Sequence, residues 1–281
     1  MTEQAQNDSQ FATPAMLSDR VSSDTSAKPG FMTRLCEEIN PSHSDLPVLA
    51  TCFVSGICDS VAFNACSVFV SMQTGNTIFL ALGTANLPYA AENLWLRALV
   101  SIVCFWAGCF FFSQSRRIGS KRKATLAFSF FIQSAFILIS AALAQSGAVP
   151  AFGMQSLGTA LAHERLASYE TEAMTLVPVA FLAFQFGGQI VTSRILGFNE
   201  VPTNVLTSLY CDLFSDPLII APIGENVKRN RRVVAVLLMV AGGIIGAWLQ
   251  KSKAGMPAAL WVGGAVKMLI AVSWLLWKVR G

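Results

Sequence analysis

The residues best placed for chemistry are polar groups inside otherwise apolar runs. Ser55, Gly56, Asp59, Ser60 and Asn64 recur every four or five positions, and Gln185, Gly188, Gln189 and Thr192 follow the i, i+3, i+4, i+7 spacing of one helical face. In lipid such stripes face a bundle interior or a wet cavity, as interhelical hydrogen bonds or as a polar pathway. Asp59 lies near the middle of the run 47–67 and Lys267 near the middle of 256–277. A charge at the bilayer centre costs about 2.5–3.5 kcal/mol on insertion scales, so the two are expected to pair, with Asp212 as competitor. Such a pair either locks two helices together or couples a solute to a proton or another ion.

Thr74-Gly75-Asn76-Thr77 has the composition of a half-helix start, whose free N–H groups suit an anionic ligand group, and Gln73 just before it is a further candidate. Gly75 equally permits a plain tight bend. Thr203, Thr207 and Ser208 are the expected counterpart, with Pro202 in the first turn of a helix. Arg194, at the end of an apolar run, either snorkels to headgroups or gates a polar cavity.

The elements that must position these residues are membrane spans. Of 281 residues, 53% are hydrophobic and 13% charged, about half the charge of a soluble domain. From Leu46 to Leu94 the only charged residues are Asp59 and Glu92, which excludes a soluble enzyme. Two histidines exclude a multi-histidine metal or haem site, and seven cysteines with no CxxC read as packing residues. GxSxG, P-loop, HExxH and GxGxxG motifs are absent, so no catalytic residue, metal or cofactor is assigned, and nothing points to nucleic acid.

Residues 1–45 have the composition of a disordered polar tail, ahead of a membrane domain at 46–281. Six runs have spanning length: 47–67, 94–114, 124–144, 174–193, 233–250 and 256–277. Two more polar stretches, 69–87 and 201–220, either cross, giving eight spans, or dip in and return. If both cross, the basic residues divide 11 to 8 across the membrane. If both return, the clusters Arg116–Lys123 and Lys228–Arg232, Arg194 and both termini share one side, and the division becomes 15 to 4. The positive-inside rule favours six spans, two re-entrant segments and cytosolic termini. The basic clusters then read as headgroup anchors, and Trp95, Trp261, Trp274 and Trp277 as interfacial belt residues.

An internal repeat agrees with this topology. Gly56 and Gly188 are 132 positions apart, and Thr74 and Thr207 are 133 apart. Each polar stretch precedes a span rich in small residues, with Cys104/Gly108 in one and Gly242/Gly246 in the other. The expected architecture is all-α, with repeat one at about 46–144, a loop at 145–173 and repeat two at about 174–278. Three spans per repeat make the copies inverted, an arrangement of transporters.

The runs GICDSVAFNACSVFVSMQTGNTIFLALG (56–83) and AFQFGGQIVTSRILGFNEVPTNVLTSLYCDLFSDP (183–217) resemble the two signatures of the YoaK-like family of uncharacterised multi-pass membrane proteins, particularly its fungal branch. The resemblance implies about six spans and no established activity. The expected function is a small-solute transporter or permease. The alternative is a non-transporting scaffold or a membrane-embedded accessory enzyme. The expected partners are the lipid bilayer and a small solute.

Overall fold

The computed structural model describes residues 35–87, 93–153 and 169–279. The tail expected at 1–45 lies outside the described residues up to 34, and the loop at 145–173 lies outside them from 154 to 168. The protein is a helical, multi-pass membrane bundle. Six helices are long and apolar enough to cross a membrane: α1 (Asp45–Cys66), α3 (Leu94–Ser113), α4 (Lys123–Gln145), α5 (Tyr169–Leu196), α7 (Val227–Lys251) and α8 (Gly255–Leu276). The polar stretches carry only short helices, α2 (Thr74–Gly83, 10 residues) and α6 (Leu206–Phe214, 9 residues). At 1.5 Å per residue each covers about half a membrane, so neither spans.

Local chemistry sets several boundaries. Ser67 takes the left-handed conformation (φ 59°) that closes α1, and its N–H returns to the Phe63 carbonyl. The Asn226 side chain caps α7 by accepting from the Arg229 N–H at 2.9 Å.

One end of the bundle gathers the segment before α1, the start of α4 and the end of α8. The Ile39 N–H donates to Lys121 O at 3.0 Å, and the Asn40 N–H donates to Lys278 O at 2.9 Å. At that same end Arg231 of α7 bridges Asp45 of α1 at 2.9 Å and Glu200 beyond α5 at 3.0 Å. Both basic clusters therefore lie together, as six spans require. The opposite end is marked by Asn64–Gln250 (2.9 Å) and Trp261–Gln145 (2.7 Å) hydrogen bonds.

The closest helix neighbours are α1 with α7, α3 with α5, and α4 with α8. The first two meet along glycine seams. A Cβ on Gly56 would strike the Met239 carbonyl, and one on Gly242 the Phe53 carbonyl. In the second seam a Cβ on Gly108 would strike the Phe184 carbonyl, and one on Gly187 the backbone of Phe105 and Cys109. Lipid supplies no hydrophobic drive between helices, so this backbone-to-backbone approach gives packing that larger residues would forbid. Trp274, expected at the interface, is instead fully buried, 6.4 Å from Phe130 between ring centroids.

Candidate functional site

The first broken segment begins where α1 ends. The chain turns at Ser67 and runs back along α1 until the Val70 and Ser71 N–H groups donate to Asp59 Oδ1, at 2.9 and 2.8 Å. The Ser71 hydroxyl donates to the other carboxylate oxygen. Asp59 lies seven residues before the end of α1, so the segment re-enters by about 10 Å. Fully buried Asn76, in the first turn of α2, completes the fold-back. Its Oδ1 accepts from the Phe69 N–H at 3.1 Å, and its Nδ2 donates to Phe69 O (2.7 Å) and Gln73 Oε1 (2.8 Å), with Ser101 Oγ 3.1 Å away. Non-helical backbone at this depth needs such protein partners, because lipid offers none. Thr74 opens α2 as expected, with its side chain exposed.

The second broken segment enters from the opposite end. Beyond α5, Ser193 Oγ donates to the Val201 carbonyl (2.6 Å), with the Phe198 carbonyl 3.1 Å away. Thr203 adopts φ 60° and donates its hydroxyl to Asn204 Oδ1 at 2.9 Å. Asn204 in turn donates to Phe186 O at 3.3 Å and accepts from Gln189 Nε2 at 2.8 Å, several residues inside the end of α5. The same Gln189 Nε2 donates to Ser55 Oγ of α1 at 2.7 Å, tying the two polar stripes together. Helix α6 starts at Leu206, so Pro202 precedes it rather than lying in its first turn. Thr207 is exposed on α6.

Lys267 corrects the expectation of a buried ion pair. It is fully buried on α8, yet its ammonium donates to Gln133 Oε1 of α4 at 2.7 Å and to Gln185 Oε1 of α5, and lies 5.0 Å from the Phe186 ring centroid. Asp59 is engaged elsewhere, and ion pairs among the described residues belong to Arg231 and Arg232. Asp212, the expected competitor, lies 3.7 Å from Arg232 with its side chain half exposed. Amide oxygens thus accept from the amine without supplying a counter-charge, and a charge held there without a counter-ion would cost several kcal/mol.

The remaining candidates fall into cross-links and surface contacts. Ser60 Oγ donates to Ile57 O at 2.8 Å and accepts from Gln250 Nε2 at 3.3 Å, joining α1 to α7. Exposed Arg194 donates to Asn199 O at 2.8 Å, which fixes the turn after α5 and keeps it away from the buried groups.

Sequence reasoning missed Ser71, Ser101, Gln133 and Asn204. Gln133 had one available signal: it precedes Lys267 by 134 positions, close to the 132 and 133 expected of a repeat. Ser71 and Asn204 lie in irregular segments, and Ser101 serves the Phe69 carbonyl of a turn, so none of the three belongs to a periodic stripe.

No curated protein and no solved structure matches the chain. One family does, over residues 48–273, from the first turn of α1 to the last turn of α8. The match covers all six long helices and both broken segments, and the chain belongs to the family described as Protein of unknown function (DUF1275).

Proposed function

We propose that this protein is a small-solute permease working by alternating access between two inverted halves, 46–144 and 174–278. The observation that carries this reading is the pair of broken segments re-entering from opposite ends, with Asp59 receiving one and Gln189 the other. Irregular backbone at membrane depth is tolerated where it is buried in protein or lines a cavity, and opposed broken elements are a transporter arrangement.

The seams support the inversion. Adding 131 positions takes Phe53 and Gly56 of α1 to Phe184 and Gly187 of α5. Adding 134 takes Phe105, Gly108 and Cys109 of α3 to Met239, Gly242 and Gly243 of α7. The α1–α7 contacts thereby map onto the α5–α3 contacts. Gly187 replaces Gly188 as the counterpart of Gly56, and Gly242 is the counterpart of Gly108. The YoaK-like, fungal-branch likeness rests on the runs 56–83 and 183–217, which hold the two re-entries. In this reading the end bearing both basic clusters is cytosolic.

One observation favours a non-transporting scaffold instead: Asp59, Asn76 and Lys267 are all buried. Flux of labelled small solutes into proteoliposomes separates the two. Saturable uptake supports the permease, and no uptake across a broad panel by folded protein supports the scaffold. Cysteines at Ser120 and Asn230 should both label from the cytosolic side. Labelling from opposite sides would overturn the six-span topology.

A further inference from the structure

We infer that Lys267, Gln185 and Gln189 form a binding site for a short hydroxy-carboxylate, which names the substrate class of the proposed permease and rests on that reading for its transport. The argument begins with unspent hydrogen-bonding capacity. Four buried side-chain polar atoms lack a partner among the described residues, and two of them are Gln185 Nε2 and Gln189 Oε1. Both residues are essentially inaccessible, and they are four apart on α5, so the atoms belong to adjacent turns of one face.

The surrounding network fixes the orientation of both amides. Gln185 must present its oxygen to the Lys267 ammonium, which only donates, so its NH2 end is the one left over. Asn204 uses its own NH2 on Phe186 O, so its oxygen must accept, and Gln189 must give it the NH2 end. The oxygen of Gln189 is therefore left over. One donor remains beside the Lys267 amine, which has no counter-ion among the described residues, and one acceptor remains a helical turn further along α5.

These three groups specify a ligand. A carboxylate neutralises Lys267 and accepts from Gln185 Nε2. A donor a carbon or two away reaches Gln189 Oε1. A hydroxyl suits that position, whereas the ammonium of an amino acid would set a second positive charge close to Lys267. Chloride and acetate satisfy the cation but leave the Gln189 oxygen unpaired. The site is closed in this conformation, so the ligand enters as the two halves part.

The test uses purified full-length protein with radiolabelled glycolate as probe, competed by unlabelled glycolate, acetate and chloride at constant ionic strength. Saturable glycolate binding is expected, with acetate at least about tenfold weaker, the factor expected for one buried hydrogen bond. Lys267→Met should abolish binding while keeping a monodisperse, cooperatively unfolding protein. Gln185→Met should weaken glycolate and acetate alike. No saturable glycolate binding by the wild type would overturn the site, even if the variants fail to fold. So would acetate or chloride competing as well as glycolate, or folded Lys267→Met binding unchanged. Glycolate binding without flux upholds the site and removes the permease reading. Flux of some other solute unaffected by Lys267→Met does the reverse.

Discussion

The two broken segments solve one problem by different means. Where the chain re-enters beside α1, a carboxylate receives two N–H groups and a hydroxyl, and Asn76 uses its oxygen and its NH2 group on Phe69. Where it re-enters beside α5, Arg194 and Arg231 hold the turn at Asn199 and Glu200, but deeper in only neutral groups hold the chain, Thr203 sits at positive φ, and Gln189 keeps an unpaired oxygen. The glycine seams, by contrast, correspond closely. Two halves can therefore share a frame while one segment is pinned and the other is held more lightly. Under the proposed permease reading, the adaptable element is the one on the α5 side.

The largest effect should come from the pinned segment. Asp59→Ala leaves two N–H groups and a hydroxyl unpaired, costing about 4 kcal/mol, read from thermal unfolding in detergent. Because Lys267 has other partners, Asp59→Ala and Lys267→Met should add to within about 0.5 kcal/mol. A large coupling would restore the ion pair that the structure lacks. Next come the seams. Gly108→Val and Gly242→Val each drive a side chain into a carbonyl, of Phe184 or Phe53, and should each cost about 3 kcal/mol. A tolerated change at one position only would break the equivalence of the halves.

A smaller effect belongs to the lighter segment. Gln189→Ala removes contacts to Ser55 and Asn204 and should cost about 1 kcal/mol. A loss as large as that of Asp59→Ala would erase the contrast. The smallest effect is acid-dependent. Asp216, between α6 and α7, is held below the usual carboxylate range by the Asn226 side chain, then by the Leu218 N–H and, more weakly, by Arg232. A lowered native value means that its contribution is complete above the ordinary carboxylate range and fades as pH falls through the lowered one. The difference in Tm between wild type and Asp216→Asn should therefore shrink on acidification from neutral pH. A difference independent of pH would show that the charge of Asp216 does not anchor α6.

The spans were legible because twenty apolar residues in a row have few other uses, and the re-entries because arginine and lysine mark sides. The pairing of Asp59 with Lys267 was misread for a definite reason. Position within a run gives depth along a helix but not direction around it: α1 meets α8 where Cys58 lies against Gly263, while Asp59, the next residue, faces Val70 and Ser71. The groups that satisfy Asp59 are main-chain N–H groups of Val70 and Ser71, present in every residue type but proline. Gln133 was overlooked as one amide among the serines of α4. Its role appears only when α4 and α8 lie side by side. Arg194 and Thr207 look polar and well spaced in the sequence, but their helices turn them to the surface.

Chain order gives the separate satisfaction of the two buried charges a meaning in time. Synthesis at roughly 5–20 residues per second puts α8 on the order of ten seconds or more behind α1. A carboxylate on α1 awaiting α8 would spend that interval unpartnered in or near lipid. Asp59 instead meets Val70 and Ser71, which leave the ribosome within about a second or two of it. Lys267 arrives with the last helix, when Gln133 and Gln185 have already been made. Each charge is thus received by chain that is already present or immediately follows, so the bundle can be assembled from its first helix to its last without holding a bare ion in the membrane.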